Sequence, residues 1–287
     1  HSCLGGGCAA SECQPLELYA GTYAGSIALD ATQVWFIEEG GSNGYVMRIA
    51  KTPDPGEDAE QYEMVSSYTF ALALTTTHAV WADYSGDTST TRLLEDGSDS
   101  EELTEDACLN PRAAVADGTD VFLACEGSST AGTRRVLRVD VGSGDAERLP
   151  ADATGGPSAI ALDDTWVYFV DNEQFGGDNM GVIARWRRDG SGSYEPLTDP
   201  ISGVFDLAVY DGRVYFAVAG APGVQVVDAA PESSPETIFD DDATRIAVDA
   251  SGVYWFDSGG GKLRTSRHDG DDVRELADAT DIRDIAL

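Results

Sequence analysis

A chain of 287 residues, 42% of them hydrophobic, is long enough to bury a large core as one domain. Its 51 acidic residues stand against 18 basic ones, and the resulting charge of -33 repels nucleic-acid phosphates and anionic lipid heads. No run of 18 apolar residues occurs, so direct membrane insertion is excluded as well. A basic protein, a cation or a salty medium fits such a surface better.

In chain order, a leader comes first. Residues 1–14 hold Cys3, Cys8 and Cys13 at five-residue steps in a Gly-rich stretch. Zinc sites favour gaps of two to four residues and four ligands, so a local disulfide is the better reading. The odd count leaves one thiol for another chain or for a free, unreactive existence. The start at His1-Ser-Cys3 is read as that of a processed, exported product.

Residues 15–287 repeat one phrase six times: an apolar strand ending in Asp or a stand-in, a gap, then an aromatic strand. The copies are Ile27-Ala-Leu-Asp30 with Val34-Trp-Phe-Ile37, Leu72-Ala-Leu-Thr75 with Val80-Trp-Ala-Asp83, and Ala114-Val-Ala-Asp117 with Val121-Phe-Leu-Ala124. Ile160-Ala-Leu-Asp163 with Val167-Tyr-Phe-Val170, Leu207-Ala-Val-Tyr210 with Val214-Tyr-Phe-Ala217, and Ile246-Ala-Val-Asp249 with Val253-Tyr-Trp-Phe256 complete the set. The aromatic positions Trp35, Trp81, Phe122, Tyr168, Tyr215 and Tyr254 lie 46, 41, 46, 47 and 39 residues apart. That is the period of a four-stranded propeller blade. The sequence thus predicts an all-β, six-bladed β-propeller of four-stranded antiparallel blades.

Third strands such as Arg135-Val-Leu-Arg-Val139, Gly/Asp/Ser turns and outer strands such as Tyr194-Glu-Pro-Leu197 follow in each repeat. Pro196 suits an outer edge because it cannot donate to a ladder. Cys108 precedes the third inner strand and Cys125 ends its neighbour, which allows a disulfide across them.

The ends leave a remainder. Pro15-Leu16-Glu17-Leu18 matches an outer strand, and Ile282-Arg-Asp-Ile285-Ala-Leu287 matches the start of a seventh repeat, giving 26 strands where six blades need 24. One spare can close the ring. The other is either redundant or adds to a neighbouring subunit, with Leu16, Leu18, Ile282, Ile285 and Leu287 as the inter-subunit residues. Such a joint runs head-to-tail and yields a ring or an extracellular filament depending on whether the rotation closes, and the unmatched leader cysteine can lock it.

Val253-Tyr-Trp-Phe-Asp257, with Leu263-Arg-Thr-Ser-Arg-His-Asp-Gly270 and the closing Val273-Arg-Glu-Leu276, resembles the six-bladed propellers of the low-density-lipoprotein-receptor type, with their Tyr-Trp-Thr-Asp strand. The leader and blades together also resemble secreted bacterial propeller repeat proteins. Both resemblances imply a mainly extracellular binding or scaffold module and fix no ligand; the partner expected is the chain itself or another protein.

Catalytic motifs are lacking. His78 and His268 stand at turns without a partner set, and Gly40-Gly-Ser-Asn-Gly44 lies in a hairpin where a nucleophile elbow needs a strand-to-helix turn. No cofactor is implied apart from calcium, for which Asp171 and Asp178 in one loop and Asp240, Asp241 and Asp242 in another offer hard oxygen donors. A calcium-dependent hydrolase or lactonase with a site on the ring axis is therefore the alternative to a non-enzymatic scaffold. The strand mouths Ser26, Ala71, Ala113, Ala159, Asp206 and Arg245, mostly small and neutral, speak against it.

Overall fold

The computed structural model describes residues 8–9, 12–13, 17–20, 23–41, 43–54, 57–66, 69, 71–85, 88–95, 101–105, 108–127, 134–149, 155–172, 180–220, 223–231 and 233–287. Among them there is no helix, and the chain forms a propeller-like ring of small antiparallel sheets. The first sheet is built from Ala24–Leu29, Gln33–Gly40, Asn43–Ala50 and Glu60–Ser66, and the second from Ala71–Leu74, His78–Ser85, Thr88–Glu95 and Glu101–Glu105. Pro111–Asp117, Asp120–Cys125, Arg135–Asp140 and Ala146–Arg148 form the third. The fourth holds Gly156–Leu162, Trp166–Asn172, Met180–Arg187 and Glu195–Pro196; the fifth Val204–Tyr210, Arg213–Val218, Val224–Asp228 and Glu236–Phe239; the sixth Ala243–Asp249, Gly252–Asp257, Lys262–Ser266 and Arg274–Asp278.

Five of these sheets have the four strands the repeat demands. The fourth departs from the pattern, because Ile201–Ser202 adds a fifth strand against Met180 and Gly181. Pro196 sits on an outer strand, where its missing N–H costs no ladder bond. Cys108 and Cys125 form the disulfide, with Cα atoms 5.2 Å apart and both residues buried. The leader contributes a two-stranded sheet in which Cys8 stands opposite Cys13.

The inner strands are short because local turns stop them. Asp30 Oδ1 accepts the Thr32 and Gln33 amides, Asp163 Oδ1 those of Thr165 and Trp166, and Asp249 Oδ1 those of Ser251 and Gly252. The Thr75 hydroxyl does the same for Thr77 and His78. These are side-chain-to-backbone turns of the Asx and Ser/Thr type. The free carboxylate oxygen then reaches the next strand: Trp35 Nε1 donates to Asp30 Oδ2 at 3.0 Å and the Tyr168 hydroxyl to Asp163 Oδ2 at 2.6 Å. Burial pushes the Asp30 carboxyl up, but its amide and indole donors outweigh that and hold it below the usual carboxylate range.

Packing between sheets follows from the period-2 alternation of a strand. Tyr168 and Val170 of the fourth sheet meet Leu207, Val214 and Phe216 of the fifth. Tyr215 and Ala217 of the fifth in turn meet Ile246, Val253 and Trp255 of the sixth. In the second sheet the expected equivalence of Trp81 with Trp35 does not hold. Trp35 stands opposite Ala28, whereas Trp81 stands opposite Leu72, the place that Phe36 takes opposite Ile27. The reason is one extra residue between Leu72 and Val80 relative to Ile27 and Val34, and a one-residue change moves a side chain to the other face. Trp81 therefore packs back against Trp35 and Val46 of the first sheet, and Val80 turns toward the third.

Candidate functional site: the mouth of the central channel

The inner strands surround a cavity of about 1450 Å³. Its wall is apolar and small, with Ala113, Ala159, Ala208 and Val248 among the lining residues, while Arg112, Glu126, Asp206, Arg245, Arg283 and Asp284 gather at the strand mouths. Arg112 is ion-paired to Glu126 at 2.5 Å and Arg283 to Glu39 at 3.5 Å.

The centre of this mouth is an Asp206–Arg245–Asp284 cluster. Asp206 Oδ1 accepts the amide of Leu207 at 2.9 Å, and its Oδ2 accepts the amide of Ile246 on the following sheet at 3.0 Å. Asp284 repeats both bonds: Oδ1 accepts the Ile285 amide at 2.8 Å, and Oδ2 accepts the Ile27 amide of the first sheet at 2.8 Å. The Ser26 hydroxyl makes the corresponding cross-sheet bond with Leu72 N–H at 3.3 Å. Arg245 donates through Nε to the Arg283 carbonyl and through Nη1 to the Thr244 carbonyl at 2.7 Å. Burial, and then the neighbouring Asp284 charge, push the Asp206 carboxyl up to about 7, against the pull of the Ile246 and Leu207 amides and of Arg245. Burial likewise raises Asp284. Chemically, then, the cluster is a half-buried clasp of two carboxylates and a guanidinium tied to the backbone of the fifth, sixth and first sheets.

Sequence reading found Asp206 and Arg245 at strand mouths but missed Asp284, which lies outside the six repeats. A signal was present: Arg283-Asp284-Ile285-Ala286-Leu287 parallels Phe205-Asp206-Leu207-Ala208-Val209, acid for acid.

Three of the five calcium candidates, Asp171, Asp241 and Asp242, are held by protein donors, and Asp240 lies beside Asp241 at the end of the outer strand Glu236–Phe239. Asp171, buried, accepts the Gly155 amide at 3.0 Å and the Tyr194 hydroxyl at 3.1 Å. Both Asp241 oxygens face Arg264 Nη1 at 2.9 and 3.0 Å, and Oδ2 also accepts Trp255 Nε1 at 2.9 Å. Asp242 accepts the Gly220 amide at 2.7 Å. Asp178 lies outside the described residues, and among those described no three acidic, His or Cys groups gather into a metal-holding cluster. His78 Nδ1 faces the Thr77 hydroxyl at 2.7 Å, and His268 is stacked on Tyr210 with ring centres 4.8 Å apart.

At the termini, Leu18 and Tyr19 pack on Phe36, Met47 and Ile49 of the first sheet. Ile282, Ile285 and Leu287 belong to a segment that no strand pairs among the described residues. Leu16, Cys3 and the side chains of Cys8 and Cys13 lie outside the described residues.

No protein family matches the chain, and no curated protein does either. Solved structures do. The chain is similar to one in a nidogen/laminin complex, at 14% identity and a TM-score of 0.59 over 83% of this chain and 89% of that one. It is similar to hydrazine synthase of Kuenenia stuttgartiensis, at 13% identity and a TM-score of 0.60 over 83% and 75%. The computationally designed protein Ika8 matches at 15% identity and a TM-score of 0.58 over 89% and 74%. At such identities the likeness defines the fold class, a β-propeller.

Proposed function

We propose that this chain is a non-enzymatic, exported or cell-surface propeller, six-bladed and of the low-density-lipoprotein-receptor type, that acts as a protein-binding scaffold and joins copies of itself head-to-tail. The observation that carries this reading is the joint between the sixth and first sheets. There residues 282–287 bond to the first sheet through Asp284 and the Ile27 amide without pairing to a strand among the described residues, and Leu276, on the outer strand of the sixth sheet, is 41% exposed. An unpaired strand-like segment beside an exposed leucine suits a protein partner. The Cys108–Cys125 disulfide supports export, since such bonds persist in oxidising compartments. Similarity to a chain of a nidogen/laminin complex supports protein binding.

The alternative, a calcium-dependent hydrolase on the ring axis, is disfavoured by the clasp. A cation beside Asp206 and Asp284 meets the Arg245 guanidinium, and the carboxylates already accept backbone amides.

Light scattering with and without reductant tests the scaffold reading: a mass above 30.3 kDa that grows with concentration is expected, and a monomer in both conditions removes it. Calcium titration during thermal unfolding tests the alternative. An unchanged midpoint is expected, and a rise would restore a calcium site.

A further inference from the structure

Residues 282–287 occupy the inner-strand place of a seventh position in the ring. Both carboxylate bonds of Asp206 recur at Asp284, one to the following residue and one to the inner strand of the next sheet. The segment also touches the sixth sheet, through Arg245 and the Arg283 carbonyl, and the first sheet, through Arg283 and Glu39. It thus stands between the two.

The outer place of that position is held by the other chain end. In the third and fourth sheets the leucine that ends the outer strand, Leu149 or Leu197, is at most 2% exposed because it packs on the sheet that follows. Leu18 plays this part for the first sheet, packing on the cluster of Phe36, Met47 and Ile49. The spacing agrees, since Ile27 lies nine positions after Leu18 and Ile285 nine positions after Leu276. Leu276, the corresponding residue of the sixth sheet, has nothing comparable over it and is 41% exposed.

A four-stranded position with its inner and outer places taken lacks its two middle strands. In the sixth sheet those strands and their turn run from Gly252 to Ser266, fifteen residues. One stretch of the chain matches this need: the sixteen residues before Glu17, which contain an antiparallel hairpin, Cys8–Ala9 with Glu12–Cys13, that pairs with no other strand among the described residues. Within one molecule this hairpin leaves the 282–287 edge unpaired. Only three residues, with Pro15 at their centre, link it to Glu17, and Pro is unsuited to the positive-φ positions of a tight hairpin turn. The stretch also carries a single acidic residue, Glu12, and no Lys or Arg, so it approaches another copy of an acidic chain with little like-charge cost.

We infer that the wedge between the sixth and first sheets receives the leader, residues 1–16, of a second copy, which supplies the two missing strands by edge pairing with 282–287. The inference rests on the self-association reading above and gives it a site. Each molecule presents one leader and one wedge, so association either propagates or closes.

The test uses the full chain, a variant lacking residues 1–14, and Leu276→Asp, whose exposed side chain leaves the fold intact. Light scattering under reducing conditions is expected to give multimers for the full chain and monomers for both variants. A synthetic peptide of residues 1–16 is expected to bind the deletion variant, and at least tenfold more weakly once Leu276→Asp is added. Multimers that survive the deletion, or peptide binding indifferent to Leu276→Asp, overturn the leader-in-wedge assignment and leave self-association standing. A full chain that is monomeric at every concentration overturns both.

Discussion

Two kinds of junction hold this ring, and they differ in chemistry. Between the fourth and fifth sheets the contact is apolar: Tyr168, Val170 and Leu197 meet Leu207, Phe216 and Val218, all nearly excluded from solvent. Between the sixth and first sheets the contact is polar and made by a short segment, with Asp284 on the Ile27 amide, Arg245 on the Arg283 carbonyl, and Arg283 against Glu39. Apolar burial scales with area and tolerates small shifts, whereas hydrogen bonds fix geometry and contribute little net stability each. A ring built from both draws most of its stability from the apolar joints and has its closing geometry fixed by the polar one.

The comparison can be broken at its strongest side first. Phe216→Ala in the apolar junction is expected to lower unfolding stability by about 4 kcal/mol, measured by denaturant titration. A loss below about 1 kcal/mol would mean that the junction is not close-packed. The sharper contrast is between equivalent leucines. Leu197→Ala is expected to lose about 3 kcal/mol, while Leu276→Ala in the monomer loses less than about 1 kcal/mol, because only the first leaves a cavity between sheets.

Next comes pH. A carboxyl whose pKa is raised in the folded chain binds its proton more tightly there than when unfolded, so Asp206 stabilises the fold most below about pH 4, and this contribution is lost as pH rises to about 7. Asp206→Asn keeps an acceptor for the Ile246 amide and removes the titration. Between pH 4.5 and 7.5 the variant is expected to lose less stability than the parent, by on the order of 2 kcal/mol, and equal losses would place Asp206 in a solvated site. The smallest effect is at the clasp itself. Asp284→Ala removes the acceptor for Ile27 N–H and is expected to cost about 1 kcal/mol globally, with faster hydrogen exchange confined to the Ile27 amide and its neighbours. Faster exchange throughout the sheets would contradict a local role.

Much of the fold was legible because it is written in near neighbours. Asp30, Asp163 and Asp249 recur where the chain must turn, and each turn is closed by amides two and three residues away. The Cys108–Cys125 bridge was visible from the flanks of one hairpin. The frame of the second sheet is hidden for a physical reason: Trp81 matches Trp35 in residue type, but in a strand the count of residues decides the face.

What the sequence by itself determined is the repeat, the order of its strands and the turns that end them, since each follows from residues adjacent in the chain. Only the tertiary structure decided how the ring closes. Asp284 meets Ile27 across 257 positions of sequence, Leu18 covers the face that the first sheet turns toward the joint, and Leu276 stays exposed where Leu149 and Leu197 are buried. A carboxylate's partner and a leucine's cover depend on which sheet stands next to it, and that neighbour exists only once the ends of the chain have come together.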